Sequence, residues 1–491
     1  MKYDLVFRET LVIDGTGNPG QVADVGVSGG QITTVGSAKG DSAREVDARG
    51  LVLSPGFVDT HAHDDGALLR YPGMEFKVAQ GVTTDVVGNC GFSVAPATQE
   101  AGGMIASSSI LAVGEVGISW RDQAGYRDAV NANPPALNAM ALAGHNTLRI
   151  GAMGGERREP THEEMKLMHG WLEEAMEAGA CGLSTGLFYV PGRWAETEEV
   201  TELAKVVAPY RGVYATHMRD EGVNLLRAVE ETLSIGRDAG VAAHISHHKA
   251  AGEANWGKVK DSLAAVDAAR QAGQAVTLDL YPYIAGSTRL EAMANFMTDD
   301  VSEWIRVATS PTFPDYEGWS VADIATDMGL GAHAATQTLI EGAGRETICL
   351  QFLMCEPDVE TVMAHPQVMI GSDGIPVLEG KPHPRLFGTF PRVLGEYVRE
   401  RKVIELEEAI RKMTSLPAQT FGLGDRGTIR EGAAADLVLF DAATVEDLAT
   451  YEEPHHQPAG IELVVVNGVI VCERGEHTGA RPGRMLSYRP A

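Results

Sequence analysis

Ser54-Pro55-Gly56-Phe57-Val58-Asp59-Thr60-His61-Ala62-His63 is a short apolar segment that stops abruptly in polar residues. Phe57-Val58-Asp59 reads as the end of a buried strand, and two histidines follow at i and i+2. On an extended backbone that spacing sends both imidazoles to one face, where they can reach a single ion. Comparable apolar runs follow along the chain. They are Thr84-Asp85-Val86-Val87, Asn138-Ala139-Met140-Ala141-Leu142, Ala180-Cys181-Gly182-Leu183 and Val213-Tyr214-Ala215-Thr216. Val241-Ala242-Ala243-His244-Ile245, Ala275-Val276-Thr277-Leu278-Asp279-Leu280 and Val368-Met369-Ile370 complete the set. Amphipathic segments separate most of them, such as 161–178, which opens on the capping-type Thr161-His162-Glu163-Glu164. Eight strands with interleaved helices predict an α/β fold, a (β/α)8 TIM-type barrel.

In such a barrel the chemistry gathers at the C-terminal ends of the strands. Asn89-Cys90 follows the second strand, His145 the third, His217 the fifth and His247-His248-Lys249 the sixth. Tyr281 follows the seventh and Asp373 the eighth. Histidine, cysteine and aspartate together are the usual donors to zinc, with cysteine bound as its thiolate. Asp373, in Gly371-Ser372-Asp373-Gly374, has the place of a general base. Arg385 and Lys249 can clamp a substrate carboxylate, the arginine through two parallel bonds. Around the sixth strand, His244 and His248 share a parity that His247 does not, and spacing alone leaves the ligand open. His162, His169, His333, His365, His455, His456 and His477 fall away from the strand ends and read as surface or structural residues.

The two ends of the chain differ from the middle. Asp4-Leu5-Val6-Phe7, Thr10-Leu11-Val12-Ile13, Val25-Gly26-Val27, Ile32-Thr33-Thr34-Val35 and Arg44-Glu45-Val46-Asp47 are short strands split by glycine-containing turns, as in an antiparallel unit. Asp436-Leu437-Val438-Leu439-Phe440 and Leu463-Val464-Val465-Val466 match them, the latter leading through the hairpin pair Asn467-Gly468 into Val469-Ile470-Val471. The expected division is therefore a small β-sandwich built from residues 1–55 and 419–491, with the barrel, 56–418, inserted between its halves. Residues 287–344 are too many for a plain crossover and predict a lid-like excursion.

Composition excludes several classes. The chain has 491 residues, with 40 Lys+Arg against 67 Asp+Glu and a net charge of −27, which opposes binding to a phosphate backbone. No run of about 18 apolar residues is present to span a membrane. Five cysteines at no framework spacing suit a reducing compartment. With no apolar leader after Met1-Lys2-Tyr3-Asp4, a cytoplasmic location is expected.

Beyond these readings the chain resembles the amidohydrolase superfamily, and within it the N-acyl-D-amino-acid deacylase (D-aminoacylase) family. The likeness runs from Ser54-Pro55-Gly56-Phe57 to His63, through Gly81-Val82-Thr83-Thr84, Gly88-Asn89-Cys90-Gly91, Gly144-His145-Asn146 and Gly186-Leu187-Phe188-Tyr189. It continues in Ala215-Thr216-His217-Met218-Arg219, Ser246-His247-His248-Lys249, Tyr281-Pro282-Tyr283, Gly371-Ser372-Asp373-Gly374 and His383-Pro384-Arg385, ending at Ala435-Asp436-Leu437-Val438. His-x-His alone marks only the superfamily; Gly-Asn-Cys-Gly together with Ser-His-His-Lys and His-Pro-Arg is more specific to the deacylase branch.

The resemblance implies that Cys90, His217 and His247 hold a tightly bound zinc, which selects His247 from its neighbours. It implies a second, weaker metal position at His61 and His63 with Asp373 nearby. Lys249, Tyr281 and Arg385 are implied to anchor the substrate's α-carboxylate, with Ser287 and Tyr189 as lesser contacts. Many superfamily members bridge two metals with a carboxylated lysine after the fourth strand. Here that strand runs into Ser184-Thr185-Gly186, so Cys90 takes over, which argues against the cyclic-amidase branches. The implied activity is zinc-dependent hydrolysis of small-molecule N-acyl-D-amino acids with neutral or apolar side chains. Deacylation of N-acyl-D-glutamate or N-acyl-D-aspartate, another cyclic-amide hydrolysis, and a scaffold without catalysis are the alternatives. Arg289, expected to face solvent, or another residue of the 287–344 excursion would pair with an acidic side chain.

Overall fold

The structure, a computed structural model, describes residues 2–108 and 110–490. Eight parallel strands close the central barrel: Phe57–Asp59, Val82–Val87, Asn138–Ala141 continuing as Ala143–Gly144, Gly182–Gly186, Val213–His217, Ala242–Ile245, Val276–Leu280 and Val368–Ile370. The third strand bends at Leu142, so its first part pairs with the second strand and its last two residues with the fourth. Closure between the first and eighth strands falls just beyond their ends, through the parallel bridge of Ala62 with Gly374 and the bond from Asp373 N–H to His61 O (2.7 Å). Inward residues Val58, Val86, Met140, Cys181, Val213, Ala215 and Met369 fill the barrel, which is plugged from below by Leu416, Phe421 and Leu423. The barrel is therefore a packed core, with access to its chemistry only at the mouth.

Both chain ends enter one nine-stranded sheet. Its stitch is the antiparallel pairing of Val52–Pro55 with Leu437–Phe440, and the two halves bury one core that includes Phe7, Val27, Leu53, Leu439 and Val465. The expected first two strands are a single one, Tyr3–Val12, whose register slips between Phe7 and Thr10 at a bulge where Glu9 takes φ 50°. The unit is also mixed rather than antiparallel throughout. After the hairpin Gln21–Ser28 and Gln31–Gly36, the chain returns to the other edge of Tyr3–Val12 and runs parallel to it at Ser42–Asp47 and Val52–Pro55. Asn467 and Gly468 take φ 49° and 82°, the pair of positive values that a two-residue hairpin turn demands. Residues 484–489 leave this sheet and pair beneath the barrel, with Leu486 N–H donating to Ala139 O at 2.7 Å.

Helix His162–Glu177 starts as the sequence predicts, with a reciprocal capping box between Thr161 and Glu164. The excursion reaches further than residues 287–344, because its closing strand lies beyond them. Gly286–Arg289, Ile348–Gln351 and Ile305–Thr309 form an antiparallel sheet, backed by helices Val321–Met328 and Ala332–Leu339 around a core of their own. No helix among the described residues is long and apolar enough to cross a membrane.

The seam of the barrel carries a buried ionic knot that the sequence did not disclose. Asp59 accepts the backbone N–H groups of His61 (3.2 Å) and Ser372 (2.8 Å), so one carboxylate joins the two strand ends that bear the mouth residues. Lys77, fully buried, donates to Asp59 (2.5 Å) and Ser372 (2.9 Å) and pairs with Asp64 (3.0 Å). Burial works against the lysine's charge, but Asp59, Asp64 and Asp85 outweigh it and keep the ammonium protonated. Removing one partner from such a cluster leaves the others uncompensated. Lys77→Met is therefore expected to lower unfolding stability by about 3–5 kcal/mol in urea titrations. A loss below about 1 kcal/mol would show that the carboxylates need no counter-charge.

Candidate metal centre

The mouth residues sit just past the strand ends, three of them on unusual backbone. Cys90, His247 and Asp373 take φ of 53°, 35° and 50°, a left-handed conformation uncommon for residues with a side chain. Such backbones concentrate at functional sites, where surrounding contacts over-determine them. Around Cys90 the two glycines explain the Gly-Asn-Cys-Gly pattern. A Cβ on Gly88 would lie 2.2 Å from Leu142 O, and one on Gly91 would lie 2.6 Å from Gly186 N. The loop can press against the third and fourth strands only if both positions lack side chains.

Cys90 Sγ is the geometric centre of the arrangement. It lies 3.2 Å from His61 Nε2, 3.5 Å from His247 Nε2 and 3.7 Å from His217 Nδ1. Asp373 Oδ1 is 3.1 Å from His63 Nε2 and 3.5 Å from His61 Nε2. Donor atoms of His61, Cys90, His247 and Asp373 all fall within 4.8 Å of one another. Two donor sets thus share one sulfur: Cys90 with His217 and His247, and Cys90 with His61, Asp373 and, through Asp373, His63.

This donor set fits a zinc ion. Ligand bonds of about 2.3 Å to sulfur and about 2.0–2.1 Å to nitrogen put sulfur and nitrogen about 3.6 Å apart in a tetrahedron. The distances from Cys90 to His217 and His247 match that edge. Electrostatics agree. Burial opposes ionisation of the Cys90 thiol, but His61, His217 and His247 outweigh it and hold its pKa well below the ordinary thiol value. Burial likewise works against charge on His63, yet Asp373 and Cys90 raise it to about 9. The Cys90 sulfur and the Asp373 carboxylate draw positive charge toward themselves. Asp373 is held well below the usual carboxylate range, since Arg385, His61 and His63 overcome its burial.

Two outer carboxylates that sequence reasoning passed over hold the imidazoles. Glu221 lies 2.9 Å from His247 Nδ1 and 3.6 Å from His217 Nε2. Asp279 accepts the His247 backbone N–H (2.6 Å), contacts His244 Nε2 (2.7 Å) and lies 3.4 Å from His61 Nδ1. Asp279 had a visible signal, a charge inside the otherwise buried strand Val276–Leu280. The structure also separates the three histidines of the sixth strand. His247 turns to Cys90, His244 to Asp279 and Thr277 inside the barrel, and His248 outward to Ser262 (2.7 Å) on helix Val259–Gln271. His145 is not brought to the centre. It opens helix His145–Met153 and bonds Glu199 (2.8 Å), beside Arg149.

The remaining predicted residues ring the centre on one side. Arg385 is fully buried; its Nη2 bonds Asp373 (2.9 Å) and the Ser287 carbonyl (3.3 Å), while Nε and Nη1 have no partner. Tyr281 presents its ring between Arg385, 4.5 Å from the ring centroid, and Lys249, at 5.6 Å. Lys249 donates to Glu221 (2.6 Å) and to the His247 carbonyl (2.9 Å). Tyr189 packs against His217, with ring centroids 4.7 Å apart, and its hydroxyl pairs with Thr288 (3.2 Å) on the first strand of the excursion. Arg289 does not face solvent freely: its side chain is 24% exposed and pairs with Glu346 at 3.7 Å. The excursion therefore roofs the mouth, joined to the barrel through Tyr189 and Arg385.

Comparison with known proteins agrees with this architecture. A profile of the amidohydrolase family matches residues 44–316 and 311–472. The chain is 43% identical to a D-aminoacylase of Alcaligenes xylosoxydans xylosoxydans, over 100% of this chain and 98% of that protein. It is also 43% identical to an N-acyl-D-glutamate deacylase of the same organism, over 99% and 96% respectively. Among solved structures, the N-acyl-D-glutamate deacylase of Bordetella bronchiseptica, complexed with zinc and a phosphonate mimic of the tetrahedral intermediate, superposes with a TM-score of 0.92. That likeness is 40% in identity and covers 99% of this chain and all of the other. With a barrel mouth of this composition and a family match along most of its length, the chain belongs to the amidohydrolase family.

Proposed function

We propose that the protein is a zinc-dependent hydrolase of N-acyl-D-amino acids, cleaving the amide to a carboxylate and the free D-amino acid. The observation that carries this reading is the contact of Arg385 with Asp373 beside the Cys90 centre. A buried guanidinium with two unpartnered donors is ready for an anion, at hydrogen-bond distance from an ionised carboxylate ready for a proton. Cys90, His217 and His247 would hold the tight zinc, and His61, His63 and Asp373 a second, weaker one. Bound there, zinc supplies Lewis acidity, bringing water to a reactive form near neutral pH and polarising the acyl carbonyl.

The chain's own residues do the rest. Asp373 takes a proton from the attacking water at its carboxylate and returns it to the departing amine nitrogen. Arg385, Tyr281 and Lys249 fix the α-carboxylate, with Tyr189 and the Ser287 carbonyl bordering it, so the scissile bond is oriented as well as held. Since Arg385 touches Asp373 and the anchor site alike, substrate position and base position are set by one side chain. The choice of the D-enantiomer rests on the similarity to the relatives above.

Neutral or apolar side chains are supported by the shelf beside His217, where Phe188 stacks on the imidazole at 5.6 Å and Phe296 stacks on Phe188 at 5.7 Å. A second reading, deacylation of N-acyl-D-glutamate or N-acyl-D-aspartate, is favoured by Arg289, whose 3.7 Å pairing with Glu346 is loose enough for a substrate carboxylate to displace. Cyclic amidase chemistry is disfavoured because the fourth strand, Gly182–Gly186, carries no lysine. A cytoplasmic location is supported by five cysteines that form no disulfide.

Asp373→Asn should lower kcat by about 10²–10⁴-fold while zinc content, read by elemental mass spectrometry, stays near one equivalent. Unchanged turnover would remove Asp373 from the chemistry. Cys90→Ala should instead lose the tight zinc on gel filtration, and full retention would discard the thiolate as ligand. A kcat/KM panel should rank N-acetyl-D-leucine and N-acetyl-D-methionine above N-acetyl-D-glutamate, with L-enantiomers, hydantoins and dihydroorotate far below. Glutamate in first place would select the second reading.

A further inference from the structure

Glu221 belongs to none of the motifs that mark the site. It follows His217 by four residues in the loop after the fifth strand, and its side chain is only 11% exposed. Three groups converge on its carboxylate: His247 Nδ1 at 2.9 Å, His217 Nε2 at 3.6 Å and Lys249 Nζ at 2.6 Å. The first two are the outward nitrogens of imidazoles whose other nitrogens face Cys90 Sγ, at 3.5 and 3.7 Å. His217, Glu221 and His247 could be taken for a further cation site. The Lys249 ammonium already holds that carboxylate, which excludes a second cation there.

We infer that Glu221 is the positioning residue of the tight zinc position, one carboxylate that orients both imidazoles and at the same time holds Lys249 toward the substrate. This rests on the zinc reading above. A histidine that binds a metal through one nitrogen must carry its proton on the other, and a carboxylate at that second nitrogen fixes both tautomer and ring orientation. For His247 the ligating nitrogen is Nε2, so Nδ1 carries the proton. The ammonium 2.8 Å away cannot accept it. Glu221 Oε1 can. For His217 the roles of the ring nitrogens are exchanged, and Oε2 of the same carboxylate faces its Nε2 at 3.6 Å, an electrostatic contact rather than a hydrogen bond. The carboxylate oxygens thus divide between the two rings, and Lys249 shares the one nearer His247. Metal affinity and substrate affinity are linked through a single anion that touches neither metal nor substrate.

The test is zinc affinity, measured on the full-length protein by competition with a chromophoric chelator, alongside KM and kcat. Glu221→Gln keeps the shape and removes the charge. It should weaken zinc binding about 10–100-fold and raise KM. With zinc saturating, its unfolding midpoint should match that of the unaltered protein. Glu221→Asp should recover part of the affinity. Lys249→Met, which leaves both imidazole contacts in place, should raise KM while zinc affinity stays within about threefold. Zinc affinity of Glu221→Gln within twofold of the unaltered protein would overturn the inference, as would an equal loss in Lys249→Met. Absence of zinc binding in the unaltered protein would instead overturn the proposed function, so the two failures are distinguishable.

Discussion

A thiolate buried at the mouth of the barrel is the constraint around which the site is arranged. Cys90 sits at 3.2–3.7 Å from three imidazoles, and an anion removed from water must find positive charge or neutralise. Several neighbours answer that demand. His61 and His63 are drawn toward their charged forms, Arg385 and Lys249 stand one residue further out, and Asp373, Asp279 and Glu221 balance them. Thiolate, imidazole and carboxylate donors brought to one point suit zinc.

Holding such a cluster in place requires a frame that does not yield. Three residues of the centre adopt left-handed backbone, each just past the end of a different strand. The barrel hydrogen bonds stop there and leave the chain free to turn, and around Cys90 the close approach of Gly88 and Gly91 to the third and fourth strands shapes that turn. Asp59 and Lys77 act one layer below, tying the turn that carries His61 to the one that carries Asp373. Structural rigidity and chemical function therefore meet at the seam where the barrel closes.

The roof of the mouth is made by a different part of the chain. The excursion adds Ser287, Thr288 and Phe296 to a mouth otherwise built from barrel loops, and it contacts the centre through Arg385 and Tyr189. The cluster of metal donors is thus carried by the strand ends, and the roof over it by a small unit with a core of its own. Within a chain of net charge −27, Arg385 and Lys249 are local cations, each paired with a carboxylate of the mouth.

Much of this was legible from local pattern. Strand periodicity, the polar residue after each strand and the hairpin pair Asn467-Gly468 are short-range features, and backbone geometry reads them directly. The sandwich halves were legible as well, although the bulge at Glu9 merged two expected strands into one and the parallel return of Ser42–Asp47 was not. The choice among His244, His247 and His248 was not contained in the strand period, because the chain leaves strand geometry at residue 247, where φ turns positive. The pairings of Glu221 and Lys77, and that of Arg289 with Glu346, were hidden for another reason. A charged residue announces nothing about its role until the partner that neutralises it, often many residues away, has been brought within a few ångströms. The sequence by itself determined the barrel, its polar mouth and the kinds of donor available there. Only the tertiary structure decided which nitrogens face the sulfur and which carboxylates stand behind them, since those contacts join strand ends that are neighbours in space alone.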